Sequence, residues 1–246
     1  MEKKVSARPP LRWDLQRLKK DPEKAFFLLS GFWFLFMVLG GFADSFYFSE
    51  SLTPTPLYIK IHGVSYSFWV LLYLVQTGFV ATGNTSWHRK LGQITLVVLL
   101  VLWASGYYIV LYKAAQGANS LPDTGRNLFE IGMGIVLVVL AFIQRRKPYV
   151  HKRLMLAGMV LLTIAAVPRI ILSFWNLEIN VWAYYGFHLG PLAALVVFDV
   201  LYFKSWKWLS TVLLLGIFVI EFFRLPGKFF ASDFGSKILE GLVGLF

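Results

Sequence analysis

Uninterrupted apolar runs of about 20 residues recur along this chain. Each is long enough to cross the ~30 Å hydrocarbon core of a bilayer as a helix. Seven runs are read, at residues 22–46, 57–81, 91–112, 127–144, 154–174, 181–203 and 209–225. Helix is expected because hydrocarbon offers no partner to an open backbone N–H or C=O. A membrane barrel would show short alternating strands instead, and these runs do not alternate. Hydrophobic residues make up 57% of the chain and charged residues only 15%, against about a quarter charged in a soluble domain. The expected fold class is all-α: a polytopic transmembrane helical bundle of about seven spans. Residues 1–21 read as a basic cytoplasmic arm, 22–225 as the seven-helix bundle, and 226–246 as an amphipathic interfacial tail. In that tail Phe234, Ile238, Leu242 and Leu245 have helical spacing, the pattern of a helix lying on a membrane surface.

Basic residues orient the bundle. Arg89 and Lys90, then Arg145, Arg146, Lys147, Lys152 and Arg153, then Lys204 and Lys207 fall on the same side as the basic arm. The opposite connections hold only Lys113 and Arg126. Cytoplasmic loops carry the excess of Lys and Arg, so the N-terminus is expected in the cytoplasm and the protein in a bacterial inner membrane. Trp87, Trp175, Trp182, Trp206 and Trp208 lie near span ends, as an interfacial aromatic belt would. The net charge of +11 thus serves topology and lipid contact, and nucleic acid is not an expected partner. The polar, basic stretch before the first run does not read as a secretory signal.

Ionisable residues at membrane depth are costly and mark function by default. Asp44, Lys60, His62, Glu130, Arg169, His188, Glu221 and Arg224 all map to the outer half, and only Asp199 to the inner half. Convergence lowers the cost of each, so an outer polar pocket lined by His62, Glu130, Arg169, His188 and Glu221 is expected, with Asp44 near its rim. The alternative is simple pairing, Glu130 with Arg169 and Glu221 with Arg224. Pro168 and Pro191 should kink their helices at that depth. Gly63, Gly186 and Gly190 lie near the two outer histidines, as close helix packing or a flat ligand would require.

Two inner motifs, His88-Arg89-Lys90-Leu91 and His151-Lys152-Arg153-Leu154, each precede a span and form a weak repeat. A helix N-terminus with this cluster suits a lipid headgroup or another anion, the two histidines also packing across the bundle. His62 and His188 are separated by twice the spacing of these motifs, which would set them at equal depth.

The pieces HRKLG at residues 88–92 and HKRLM at 151–155, followed by AAVPRI at 165–170, resemble an uncharacterised family of bacterial multi-pass membrane proteins. That resemblance covers roughly residues 57–203. It implies a helical-bundle membrane fold and brings no activity with it. A looser similarity is to transmembrane b-type cytochromes. By that likeness one haem b would sit between His62 and His188, with Lys60 and Arg169 near its propionates.

Three functions are therefore entertained. The first is a redox protein holding one outer-leaflet haem and exchanging electrons with quinone or a periplasmic partner. The second is a metal site for iron, copper or zinc built from His62, His188, Glu130 and Glu221. The third is a non-catalytic transport or accessory subunit of a larger membrane complex. Cysteine chemistry is excluded, since the chain has no Cys. Phosphate-loop, dinucleotide, zincin and serine-elbow motifs are missing too. The last run has no lysine for a retinal Schiff base.

Overall fold

The computed structural model describes residues 20–48, 55–175, 180–203 and 208–246. The basic arm before residue 20, Lys204, Trp206 and Lys207 lie outside the described residues. Within them the chain is helical throughout, with no strand. The helices are α1 (Pro22–Gly41), α2 (Leu57–Ala81), α3 (Thr85–Ala115), α4 (Leu121–Ile143) and α5 (Pro148–Leu162). They continue with α6 (Ala166–Trp175), α7 (Val181–Phe203), α8 (Trp208–Phe222), α9 (Leu225–Phe230) and α10 (Asp233–Val243).

Local chemistry starts and stops them. Asp21 caps α1 by accepting from the Lys24 amide, with Pro22 in the first turn. Ser120 caps α4 in the same way, through the Asp123 amide. α1 runs on into a five-residue π-helical segment, Ala43–Tyr47. Its wider turn sets Phe46 against Gly63, where a Cβ would lie 2.4 Å from the ring. It also brings the Tyr47 hydroxyl 2.5 Å from Ser67 Oγ.

Helices α1 to α4 and α7 are each long and apolar enough to cross a membrane. The expected run 154–174 is two helices, α5 and α6, bent by 57° at their junction. Pro168 explains the break. It has no N–H to give the Ile164 carbonyl, and its ring crowds that same carbonyl. Arg169 takes up the neighbouring carbonyl, donating through Nη1 to Ala165 O. Pro191, by contrast, sits inside α7 without interrupting it. α8 has 15 residues, about 22 Å of helix, which is shorter than a hydrocarbon core. Up to six spans therefore meet the length criterion among the described residues, where seven are expected from hydropathy.

α5 forms the axis of the molecule, with every residue from Leu156 to Leu162 buried. It packs on α4, α7, α8 and α1. α1 also packs on α2 and α6, and α3 bridges α2 and α4. Around this core Leu29, Val64, Val97, Val136, Val197 and Val212 are all at least half exposed. Apolar surface spread over so many helices is what a lipid-facing bundle presents and a soluble monomer rarely does. The protein is a multi-pass helical membrane protein.

The short helices α9 and α10 pack on the N-terminal end of α4. Leu239 is fully buried there with Leu111 and Leu128. Phe234, Ile238, Leu242 and Leu245 are exposed, so α10 has one apolar stripe on the bundle and another outward.

Gly41 is where α1 crosses the α5–α6 break. A Cβ there would lie 2.6 Å from the Ala166 carbonyl and 3.1 Å from its Cα. Backbone cannot swing aside as a side-chain tip can. Gly41→Val is expected to lower stability by about 1–3 kcal/mol, read as an earlier thermal unfolding transition in detergent. Gly216→Ala, with nothing within 4 Å of its Cβ position, should leave that transition in place.

Candidate functional site

At the end of the bundle capped by α9 and α10, the break and the π-helical segment leave a cavity of about 830 Å³. That is within the range of small-molecule sites. His62 and Tyr66 line it from α2, Lys113 from α3, Arg126 and Glu130 from α4, Arg169 from α6, Tyr184 from α7, Glu221 from α8, and Arg224 from the turn between α8 and α9.

Of the five residues expected to line a pocket here, four do: His62, Glu130, Arg169 and Glu221. His188 does not line the cavity. It is 2% exposed, and its Nε2 lies 2.8 Å from Glu221 Oε1. Lys60 is exposed and lies away from the cavity. Asp44 is also exposed, in the π-helical segment whose Ser45, Phe46 and Tyr47 form the cavity wall.

His62 is held by Ser105, whose Oγ is 3.0 Å from Nδ1. Its ring lies parallel to Tyr66 at 6.0 Å. Gly106 leaves room for it, since a Cβ there would sit 3.4 Å from Cε1. Among the described residues His62 Nε2 has no hydrogen-bond partner.

The charges do not pair as the alternative reading had them. Glu130 meets Arg126 one turn before it, at 3.7 Å, and Glu221 meets His188. Arg169 lies over the Phe42 ring at 4.7 Å. Among the described residues no carboxylate pairs with Lys113, Arg169 or Arg224. Two buried atoms, His188 Nδ1 and Glu221 Oε2, also lack a partner among the described residues. Arg224 itself has a left-handed backbone, φ 51°, where it turns the chain from α8 into α9. A side chain other than glycine is strained there, and the conformation carries its guanidinium to the cavity wall.

The expected ligand residues are not gathered in one place. Among the described residues no three His, Cys, Asp or Glu side chains come close enough to hold a metal ion. His62, His188, Glu130 and Glu221, the set expected for iron, copper or zinc, do not form such a group. Nor do His62 and His188 face each other across the cavity, because His188 is turned to Glu221 behind its wall.

At the opposite end, the second motif behaves differently from its sequence reading. Arg153 is 0% exposed. Its Nε donates to Asp199 Oδ2 at 3.3 Å and to Ser210 Oγ at 3.0 Å, and Nη2 pairs with Asp199 Oδ1. Nη1 reaches Glu23 at 3.2 Å, and Lys152 pairs with the other Glu23 oxygen. Ser210 donates to Asp199 at 2.5 Å, and the guanidinium stacks on Tyr149 at 3.9 Å. Arg153 is thus committed to carboxylates on α1 and α7 and is not available to a headgroup. Asp199, set by the sequence at membrane depth within its span, was the signal: an acid at that depth demands a cation. Arg89 and Lys90 do remain exposed. His88 and His151 pack together, ring centroids 6.1 Å apart, and His151 Nδ1 bonds the Ala141 carbonyl at 2.8 Å.

Comparison with protein-family models, with curated proteins and with solved structures gave no match.

Proposed function

We propose that this is a seven-span protein of a bacterial inner membrane, N-terminus cytoplasmic, whose outer-half cavity binds a small anionic group. The α5–α6 pair counts as one bent span and α8 as a short seventh. Arg89, Lys90, Arg145, Arg146 and Lys147 gather at the end opposite the cavity, which supports that orientation. The observation that carries the binding reading is the cavity's charge. Lys113, Arg169 and Arg224 are exposed and line it without carboxylate partners among the described residues, and Arg126 is shared with Asp123 and Glu130. Cations gathered on the wall of one cavity raise the local potential and attract a counter-anion, the more so at low salt. Guanidinium groups suit phosphate or carboxylate, which they bind through paired N–H donors. The role is accordingly that of a binding, transport or accessory protein.

Calorimetric titration of butyl phosphate into the purified 246-residue chain tests this. Saturable binding that weakens as salt rises is expected. Heat indistinguishable from dilution would remove the reading.

A second reading has its own observation. His62 lines the cavity, and among the described residues its Nε2 has no partner. One haem b held by that single histidine, its propionates on Arg126, Arg169 and Arg224, would keep the redox function with quinone or a periplasmic partner. The haem would supply one-electron chemistry; His62 would bind, and the arginines would orient. Hemin added to the purified protein should then give a shifted Soret band that His62→Ala removes. An unshifted band would exclude it.

A further inference from the structure

Beside the main cavity lies a second one, smaller and of different character. It has a volume of about 140 Å³ and runs between α4 and α8. α4 packs on α3 and α5, and α8 packs on α5 and α7; the gap between them is the slot. Its walls are Met133 and Leu137 on one side and Val212, Gly216, Ile217 and Ile220 on the other. The two cavities share four residues, Arg126, Glu130, Glu221 and Arg224. So the slot is apolar along its length and meets the charged cavity at one end. From the shared carboxylates to Leu137 and Val212 it extends roughly 10–14 Å along the helices. Val212 is 60% exposed and Gly216 is also exposed, so the slot opens sideways onto the surface that faces lipid.

This shape has a physical meaning. An amphiphile already in the bilayer gains nothing by moving its chain from lipid to an apolar slot, since lipid tails are as apolar as the slot. What it would lose is large if its chain had to pass through a ring of arginines. A lateral apolar gap lets the chain stay in a hydrocarbon environment while the head reaches the cations. Affinity then comes from the head, and access from the slot.

We infer that the ligand of the outer cavity is a lipid phosphate that comes in sideways from the bilayer, its chain in the α4–α8 slot and its phosphate among Arg126, Arg169 and Arg224. The cations fit the head by charge, and the slot fits the chain by polarity and by continuity with the cavity. This rests on the reading of the cavity as an anion site.

The test uses the 246-residue chain in phosphatidylcholine nanodiscs and a hexadecyl phosphate carrying a photoreactive diazirine on its chain. Labelling mapped by mass spectrometry is expected on Met133 and on Val212–Ile220, and butyl phosphate should compete it away. A diazirine-bearing hexadecanol should label the lipid-facing surface without that preference. Gly216→Phe fills the slot from a position with nothing within 4 Å. It should cut the labelling of Met133 about tenfold or more, the factor expected for overfilling an apolar site, while calorimetric butyl phosphate binding is unchanged. Gly190→Phe, equally unobstructed but outside both cavities, should alter neither. Val212→Trp, at an exposed position, repeats the slot test if Gly216→Phe does not fold. Slot labelling that butyl phosphate fails to displace, or that survives both slot variants, overturns the inference. Butyl phosphate binding with no slot labelling leaves the anion site standing and removes only lateral access. Absence of butyl phosphate binding removes both.

Discussion

Asp199→Ala is expected to destabilise the bundle by roughly 3–5 kcal/mol, the cost of leaving a buried charge without its partner. Arg153 and Asp199 are 0% and 1% exposed at their side chains. Removing the carboxylate strands the guanidinium between Ser210 and Glu23, in a place water does not reach. Glu23 alone then faces both Arg153 and Lys152. The measurement is thermal unfolding in detergent, where the single variant should unfold much earlier than the parent. Replacing both partners by apolar side chains of similar size, Arg153→Met with Asp199→Leu, should recover most of the loss, because an apolar pair needs no desolvation. A single variant as stable as the parent would show that the network carries no structural weight. A double variant as weak as the single would shift the cause to packing.

The contrasting arginine should behave in the opposite sense. Arg169→Gln is expected to weaken butyl phosphate binding by about ten- to a hundredfold, the loss of one hydrogen-bonded charge contact worth about 1.5–3 kcal/mol. Stability should move little, because among the described residues the partners of Arg169 are a carbonyl and the Phe42 ring. A titration of the parent and the variant, each paired with a melting curve, separates the two effects. Equal affinity in both would take Arg169 out of the binding site. A fall in stability matching that of Asp199→Ala would mean that it holds the break together instead. The two arginines lie on adjoining helices, and sequence alone treated the first as a headgroup ligand and the second as a pocket residue. Burial with a carboxylate is what distinguishes them.

Much of the cavity was legible because depth along a span is legible. A helix rises 1.5 Å per residue, so the position of an ionisable side chain along a span gives its height in the membrane. That is enough to gather His62, Glu130, Arg169 and Glu221 at one level, and Pro168 beside them. Rotation about each helix axis is not given by height. His188 has the right depth, yet its ring faces Glu221 and not the cavity. Ser105 and Gly106, which seat His62, belong to a helix whose charge in the cavity, Lys113, lies about two turns further on. They are ordinary residues until the neighbouring helix is known.

Sequence by itself determined that the chain folds into long apolar helices and that Arg89, Lys90, Arg145, Arg146 and Lys147 gather at one end of them. Each of these depends on hydrogen bonds, hydropathy or charge within a single segment, and a segment carries that information locally. Tertiary structure alone decided which charges meet. Arg153 and Asp199 are 46 residues apart, and His188 and Glu221 are 33 apart. Their meeting depends on the order and rotation of packed helices, which no one segment encodes. The 57° bend was between these two cases: Pro168 announces a break, but Gly41 packed against Ala166 shows where the two halves come to rest.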